Sequence, residues 1–352
     1  MSLKREIKEL ALSQGAQLVG VTRTEVYAEY LAEVGRRTQD TGAQLADFMI
    51  SPVTDHEGRV ISEDTSFFAR LADARQSLPS AKTIILLGVY AYDETALYDH
   101  TRRELRGKTA RIYNYYPVVR HIAERVAAFI EGRGHKAIQG QHVPLKYLAD
   151  RMGLGVYGKN GVFQTSQYGS YVALRNVLTD VELEPDPVER MDSPCDVCDR
   201  CLRACPTDAL YAPYKVNPKL CLNPVTRGET YIQPQVRSKM QNWISGCDIC
   251  QEVCPSNSKL RPRQVDPRSG FDSRHHASHR NLDGLEKTPL LTELLASKWP
   301  EIIRRNAAIS LGNIGGGRNE AWLALKEGLE GAPPGLEEYF TWALDELESR
   351  RA

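Results

Sequence analysis

Cys195-Asp-Val-Cys198-Asp-Arg-Cys201-Leu-Arg-Ala-Cys205-Pro206 decides how the rest of the chain reads. Thiols at steps of x2, x2 and x3, with proline after the last, wrap iron–sulfur cubanes. The first three hold one cluster and the fourth reaches a second. A second run, Cys247-Asp-Ile-Cys250-Gln-Glu-Val-Cys254-Pro255, is one ligand short, and Cys221 is the one cysteine left to complete it. All eight cysteines fall between positions 195 and 254. The arithmetic predicts two four-iron–four-sulfur clusters: Cys195, Cys198, Cys201 and Cys254 on the first, and Cys205, Cys221, Cys247 and Cys250 on the second. Zinc also binds paired CxxC units, but the third cysteine and the Cys-Pro ending are not zinc habits. A disulfide framework belongs to small secreted chains, and 352 residues is not small.

At 352 residues the chain suggests two or three domains. With 41% apolar residues there is material for real cores, so global disorder is excluded. The 45 basic and 45 acidic side chains cancel, so affinity for nucleic acid or membrane must come from a local patch. No window approaches the roughly 18 apolar residues of a membrane span. The start, Met1-Ser-Leu-Lys-Arg-Glu, reads as a charged helix without signal core or twin-arginine leader, and a cytoplasmic location is expected.

Outward from the cysteines, residues 1–13 have helical apolar spacing and 17–22 read as a short strand. Lys82 to Tyr90 is a near-continuous apolar run, as a strand buried on both faces should be. Tyr116 to Gly132 repeats apolar residues at helical spacing, Leu145 to Met152 predicts a short helix, and Tyr171 to Leu178 a strand. Strands interleaved with helices predict an α/β (α+β) domain over 1–185. A double-cluster domain over 186–260, a basic connector over 261–289 and a helical tail over 290–352 follow. In the tail, Ile302–Asn313 and Trp322–Leu329 look like a HEAT-type helix pair, too short for a solenoid and so a cap.

Three parts in this order resemble the epoxyqueuosine reductase family, and more distantly the reductive dehalogenases. The residues that carry the resemblance are Gly153-Leu-Gly-Val-Tyr-Gly-Lys-Asn160, Tyr168-Gly-Ser170, Leu178-Thr-Asp180, the two cysteine runs beginning at Cys195 and Gly246, and Arg304-Arg-Asn-Ala-Ala-Ile-Ser-Leu-Gly312. The resemblance implies a bacterial ferredoxin-like cluster domain and a cobalamin held between it and the N-terminal domain. It also implies an oxidoreductase that removes an epoxide oxygen from a modified tRNA base, with electrons relayed through the clusters to cobalt, as the last step to queuosine. An external donor such as flavodoxin or ferredoxin would supply the electrons. Lys159, Asn160, Gly246, Cys247 and Asp248 become candidate cofactor contacts, although Lys159 and Asn160 suit cluster-side backbone as well, and Asp248 suits a helix cap.

The family carries an acidic proton donor in the stretch that here reads Ala137-Ile-Gln-Gly-Gln-His-Val-Pro144, which has no carboxylate. Epoxide opening needs a proton at the leaving oxygen. His142 and Tyr116 are the replacement donors this sequence offers, with Tyr113, Tyr115 and Tyr147 nearby. The connector carries Arg261, Arg263, Arg268, Arg274, Arg280 and Lys287, a candidate phosphate-contacting segment for the tRNA partner. Phe271 is its one aromatic, so it is not a base-stacking platform. His275, His276 and His279 within it read as solvent-exposed rather than metal ligands. Three alternatives stay open: reduction of another electrophile, a flavin-fed electron-transfer module, and a cobalamin-binding and cobalamin-reducing protein.

Overall fold

A computed structural model describes residues 2–25, 27–30, 32–33, 36, 53–54, 60–61, 73–92, 101–140, 143–228, 231–262 and 288–350. His142 and residues 263–287, hence most of the basic connector and its three histidines, lie outside the described residues.

The strands are β1 (Leu18–Arg23), β2 (Val53–Thr54), β3 (Val60–Ile61), β4 (Thr83–Tyr90), β5 (Lys108–Thr109), β6 (Ala137–Gln139), β7 (Val156–Tyr157), β8 (Phe163–Gln164), β9 (Val172–Thr179) and β10 (Trp243–Ser245). The main sheet has the order β1-β4-β9-β6, with every pair antiparallel. The interleaved helices therefore do not make a parallel sheet. The chain between β4 and β9 carries a long helix, β6, a short helix and the β7–β8 hairpin, and brings β9 back beside β4 in the opposite direction. The class is mixed α and β.

The apolar run of β4 is buried on both faces, as its composition requires. Ile85, Leu87 and Val89, with Ala173 and Val177 of β9, pack against α1 (Leu3–Ser13) and α2 (Tyr116–Glu131). On α2 the contacts are Val119, Ile122, Ala123 and Val126, one face at three- and four-residue spacing, and Pro117 sits in the first turn where its missing N–H costs nothing. Ile84 and Leu86, with Val172, Leu174 and Leu178, face α3 (Leu145–Arg151) and Phe163.

The cysteine region is loop-rich, with the short helices α4 (Arg200–Ala204), α5 (Leu222–Val225), α6 (Pro234–Arg237) and α7 (Ile249–Glu252). Its strand β10 pairs in parallel with β5 of the N-terminal region. The tail forms α8 (Glu301–Ile314), α9 (Asn319–Glu330) and α10 (Glu337–Ser349). From Ile303 to Gly312, α8 is buried without a break, because it packs on α10 and also against β10.

That burial explains Arg304-Arg-Asn306. Arg305 Nη2 donates to the carbonyls of Val225 (3.2 Å) and Gly228 (2.9 Å), and Asn306 Nδ2 to those of Thr226 (2.6 Å) and Ile244 (2.8 Å). Asn313 Nδ2 adds bonds to the carbonyls of Arg237 and Gln241. These side chains satisfy loop carbonyls that would otherwise be buried unpaired. The motif is the clip that fastens the helical tail to the cysteine region.

Candidate functional site: a thiol relay and an adjoining cavity

Burial, and to a lesser degree the charge of other thiols, raises several of these cysteines. Cys201 is pushed up by burial and then by Cys195 and Cys254. Burial pushes Cys221 up to about 11, with Cys205 adding to it. Cys247 is raised by burial and by Cys250 and Cys221; Cys250 is raised by burial, then by Cys221 and Asp248, then by Cys201 and Cys205. Cys250 thus feels thiols of the first run as well as Cys221. Cluster iron would hold such thiols as thiolates. Among the described residues no three His, Cys, Asp or Glu side chains converge as on a single metal ion.

The segment from Gly153 to Gln164 grips both cysteine runs. The Lys159 backbone N–H donates to Cys195 Sγ (3.5 Å), while its ammonium donates to the carbonyls of Asp196 and Cys198 (3.1 Å to the latter). Asn160 Nδ2 lies 3.5 Å from the Cys250 carbonyl oxygen. Gln164 Nε2 lies 3.9 Å from Cys254 Sγ. The structure thus places Lys159 and Asn160 on cluster-side backbone. Glycines make the approach possible: a Cβ on Gly155 would stand 2.1 Å from the Gln164 carbonyl oxygen, and one on Gly158 2.1 Å from Gln164 Nε2.

Gly246 has a φ of +74°, and a Cβ there would come within 2.4 Å of the Tyr113 ring. It lets the segment between β10 and Cys247 lie against that aromatic. Asp248, at the start of α7, makes no capping bond. Its Oδ2 accepts from the Arg111 backbone N–H (2.8 Å) and from Arg111 Nη1 (3.2 Å), and its Oδ1 from Gln251 Nε2 (2.9 Å). Burial pushes its carboxyl up to about 6 against the pull of Arg111. Arg111 also donates to Glu252 (2.9 Å) and lies over the Tyr92 and Tyr171 rings.

A cavity of about 280 Å³ adjoins this relay. Ile112, Tyr116, Val143, Leu145, Tyr157, Val162, Phe163, Val172 and Leu174 give it an apolar and aromatic lining, and Lys146 and Ser170 supply polar points. Ser170 joins the lining to the cysteine loops: Oγ donates to Gln251 Oε1 and accepts from Asn257 Nδ2, both at 2.9 Å, and its N–H donates to Asn257 Oδ1 at 2.9 Å. Lys146 donates to the Gly161 carbonyl (2.7 Å) and its charge reaches Cys221. Burial raises the Tyr116 hydroxyl above its ordinary range, so it keeps its proton at neutral pH. Tyr113 lines no part of this cavity. It donates to Asn223 and accepts from Arg227 (2.6 Å), beside the loop of Cys221.

Arg111, Gln164, Gln251 and Asn257 escaped sequence reasoning. The bonds that carry their roles here reach partners 81 to 141 positions away, and nothing local marks them. The one available hint was the proximity of Gln251 and Asn257 to Cys250 and Cys254.

A model of the 4Fe-4S double cluster binding domain matches residues 194–257. Over 251 residues, 68% of this chain, the sequence is 30% identical to epoxyqueuosine reductase of Bacillus subtilis, covering 60% of that relative's length. The structure of epoxyqueuosine reductase from Streptococcus thermophilus overlays with a TM-score of 0.76 at 25% identity, covering 99% of this chain and 91% of that one. An epoxyqueuosine reductase crystallised with a tRNA-Tyr epoxyqueuosine-modified stem loop overlays with a TM-score of 0.71 at 24% identity, covering 98% and 99%. By sequence and by fold, this chain is a relative of the epoxyqueuosine reductases.

Proposed function

We propose that the protein is a cobalamin-dependent iron–sulfur reductase acting on an epoxide-bearing modified base of tRNA. The carrying observation is the shared wall: Ser170 lines the cavity and bonds directly to Gln251 and Asn257 of the cluster loops. In this reading Cys195, Cys198, Cys201 and Cys254 hold one cluster, and Cys205, Cys221, Cys247 and Cys250 the other. The first faces outward, with Val197 between its ligands 88% exposed. An external donor such as flavodoxin or ferredoxin would meet it there. The second, whose Cys221 feels the charge of Lys146 at the cavity wall, would deliver to the cavity.

The aromatic and aliphatic lining fits one face of a flat macrocycle, and Lys146, near Tyr157, gives an amide-bearing rim a polar partner. Bound there, the corrin would supply the carbon-directed reductant and the clusters the single electrons. The chain's own residues exclude water, orient the reacting face and hold a proton. Tyr116 holds its proton at the cavity wall and is the donor proposed for the departing oxygen; His142 is the second candidate.

The same reading divides the chain into a cobalamin and substrate domain (1–185), the ferredoxin-like domain (186–260), a basic connector to tRNA (261–289) and a HEAT-like cap (290–352). Among the described residues no helix is long and apolar enough to cross a membrane, and we place the enzyme in the cytoplasm. Anaerobic reconstitution with iron, sulfide and cobalamin tests the proposal. Iron for two clusters, a retained corrin spectrum and turnover of epoxyqueuosine-containing tRNA are expected. Failure to retain corrin would remove it. Fast corrin reduction without turnover would instead favour a cobalamin-reducing protein, a reading the carboxylate-free stretch 137–144 supports.

A further inference from the structure

We propose that Gln164 is a positioning residue of the relay: its side-chain amide donates to the Cys254 sulfur and sets the reduction potential of the cluster that Cys254 shares with Cys201. This rests on the two-cluster reading above. Gln164 is 1% exposed. It follows Phe163 on β8, and the strand's alternation sends the two side chains to opposite sides. Phe163 lines the cavity while Gln164 Nε2 stands 3.9 Å from Cys254 Sγ. The β7–β8 hairpin is therefore the partition between cavity and cluster, and Gln164 is its contact on the cluster side.

Two observations make the contact a built feature. Gly158 leaves the space the amide occupies, since a Cβ there would lie 2.1 Å from Nε2. The Gln164 Oε1 atom is buried with no donor among the described residues. An orphaned buried acceptor is destabilising, and an apolar residue of similar length would avoid it. What the amide contributes at this position is its N–H. The orientation is chemically sound, because a sulfur ligand accepts and Oε1 in that place would set two acceptors together. Hydrogen bonds to cluster sulfurs set the potential. A donor disperses negative charge, and the reduced cluster carries one electron more, so the bond favours reduction. The Lys159 N–H on Cys195 Sγ acts in the same sense on the same cluster.

The test is a redox titration, followed by EPR, of the full-length reconstituted protein and of Gln164→Leu, Gln164→Glu and Gly158→Ala. Iron and sulfide are counted first. Wild-type protein without iron for two clusters would overturn the two-cluster reading itself. With both clusters present, Gln164→Leu is expected to move one midpoint to lower potential and leave the other in place. Gly158→Ala, which displaces the amide without removing it, is expected to move the same midpoint in the same direction. If Gln164→Leu loses a cluster, the isosteric Gln164→Glu decides, titrated at a pH high enough to ionise its buried carboxyl, because the ionised carboxylate has no proton to donate and lowers that midpoint. Unchanged midpoints, equal shifts of both, or an upward shift would overturn the proposal.

Discussion

The Arg111 guanidinium lies 3.2 Å from the Asp248 carboxylate, and the two side chains are 1% and 0% exposed. One belongs to the N-terminal region and the other sits between Cys247 and Cys250. Removing one partner of a buried pair leaves an uncompensated charge, at about 3–5 kcal/mol. Arg111→Met is therefore expected to lower unfolding stability by that order in a denaturant titration. The double variant Arg111→Met with Asp248→Asn is expected to recover part of the loss. Equal losses in single and double variants would contradict the pairing.

Gly246→Ala tests the close approach beside Cys247. A left-handed backbone costs an alanine about 1–2 kcal/mol. Its Cβ would also meet Tyr113 at 2.4 Å and Ala110 at 2.6 Å, and overpacking adds about 1–3 kcal/mol. Thermal unfolding should fall well below wild type, with iron retention reduced. An unchanged midpoint would show that the segment around Gly246 can withdraw from the ring.

Asn306→Ala removes both side-chain bonds that hold α8 to Thr226 and Ile244. Two buried carbonyls lose their donor, for about 2 kcal/mol. Thr226 Oγ1 in turn accepts from the Gly246 N–H at 2.7 Å, next to Cys247. Limited proteolysis should release the helical tail faster, and cluster iron should be lost to a chelator sooner.

Asp186 gives a pH dependence. Burial raises its pKa, but bonds from Lys4 and Lys8, both at 2.7 Å, and from the Val21 N–H at 2.9 Å outweigh that and hold it below its ordinary value. A carboxyl depressed in the folded state stabilises above its unfolded pKa, about 3.9, and the contribution is lost as pH falls through the folded value. Asp186→Asn should cost about 1 kcal/mol at pH 7. The difference from wild type should vanish at strongly acidic pH in matched denaturant titrations.

Tyr116→Phe separates proton delivery from binding. Loss of a general acid typically costs about 10²–10⁴ in rate. Turnover of epoxyqueuosine-containing tRNA should fall within that range while the corrin spectrum is retained. Full activity in this variant would hand the role to His142.

The cysteine spacing, the apolar run of β4 and the helical period of α2 were legible because each is a local property. Three thiols within seven residues must curl around something compact, and a near-continuous apolar run must be covered on both faces. The antiparallel sheet was not legible, since strand direction depends on the path of the whole segment between β4 and β9.

The division of labour in Gly153–Gln164 was not legible either. The sequence marks the segment as unusual through its glycines, yet it left both cofactor and cluster-side backbone open as destinations for Lys159 and Asn160. Folding sends both to the cysteine loops and leaves the cavity to Tyr116, Phe163 and their neighbours. Arg111 and Gln164 acquire their roles from partners about ninety or more positions away. Ligand type and element type follow from short-range geometry written in the chain. Which charge is buried against which, and which amide reaches which sulfur, follows from packing surfaces that meet only once the chain has closed on itself.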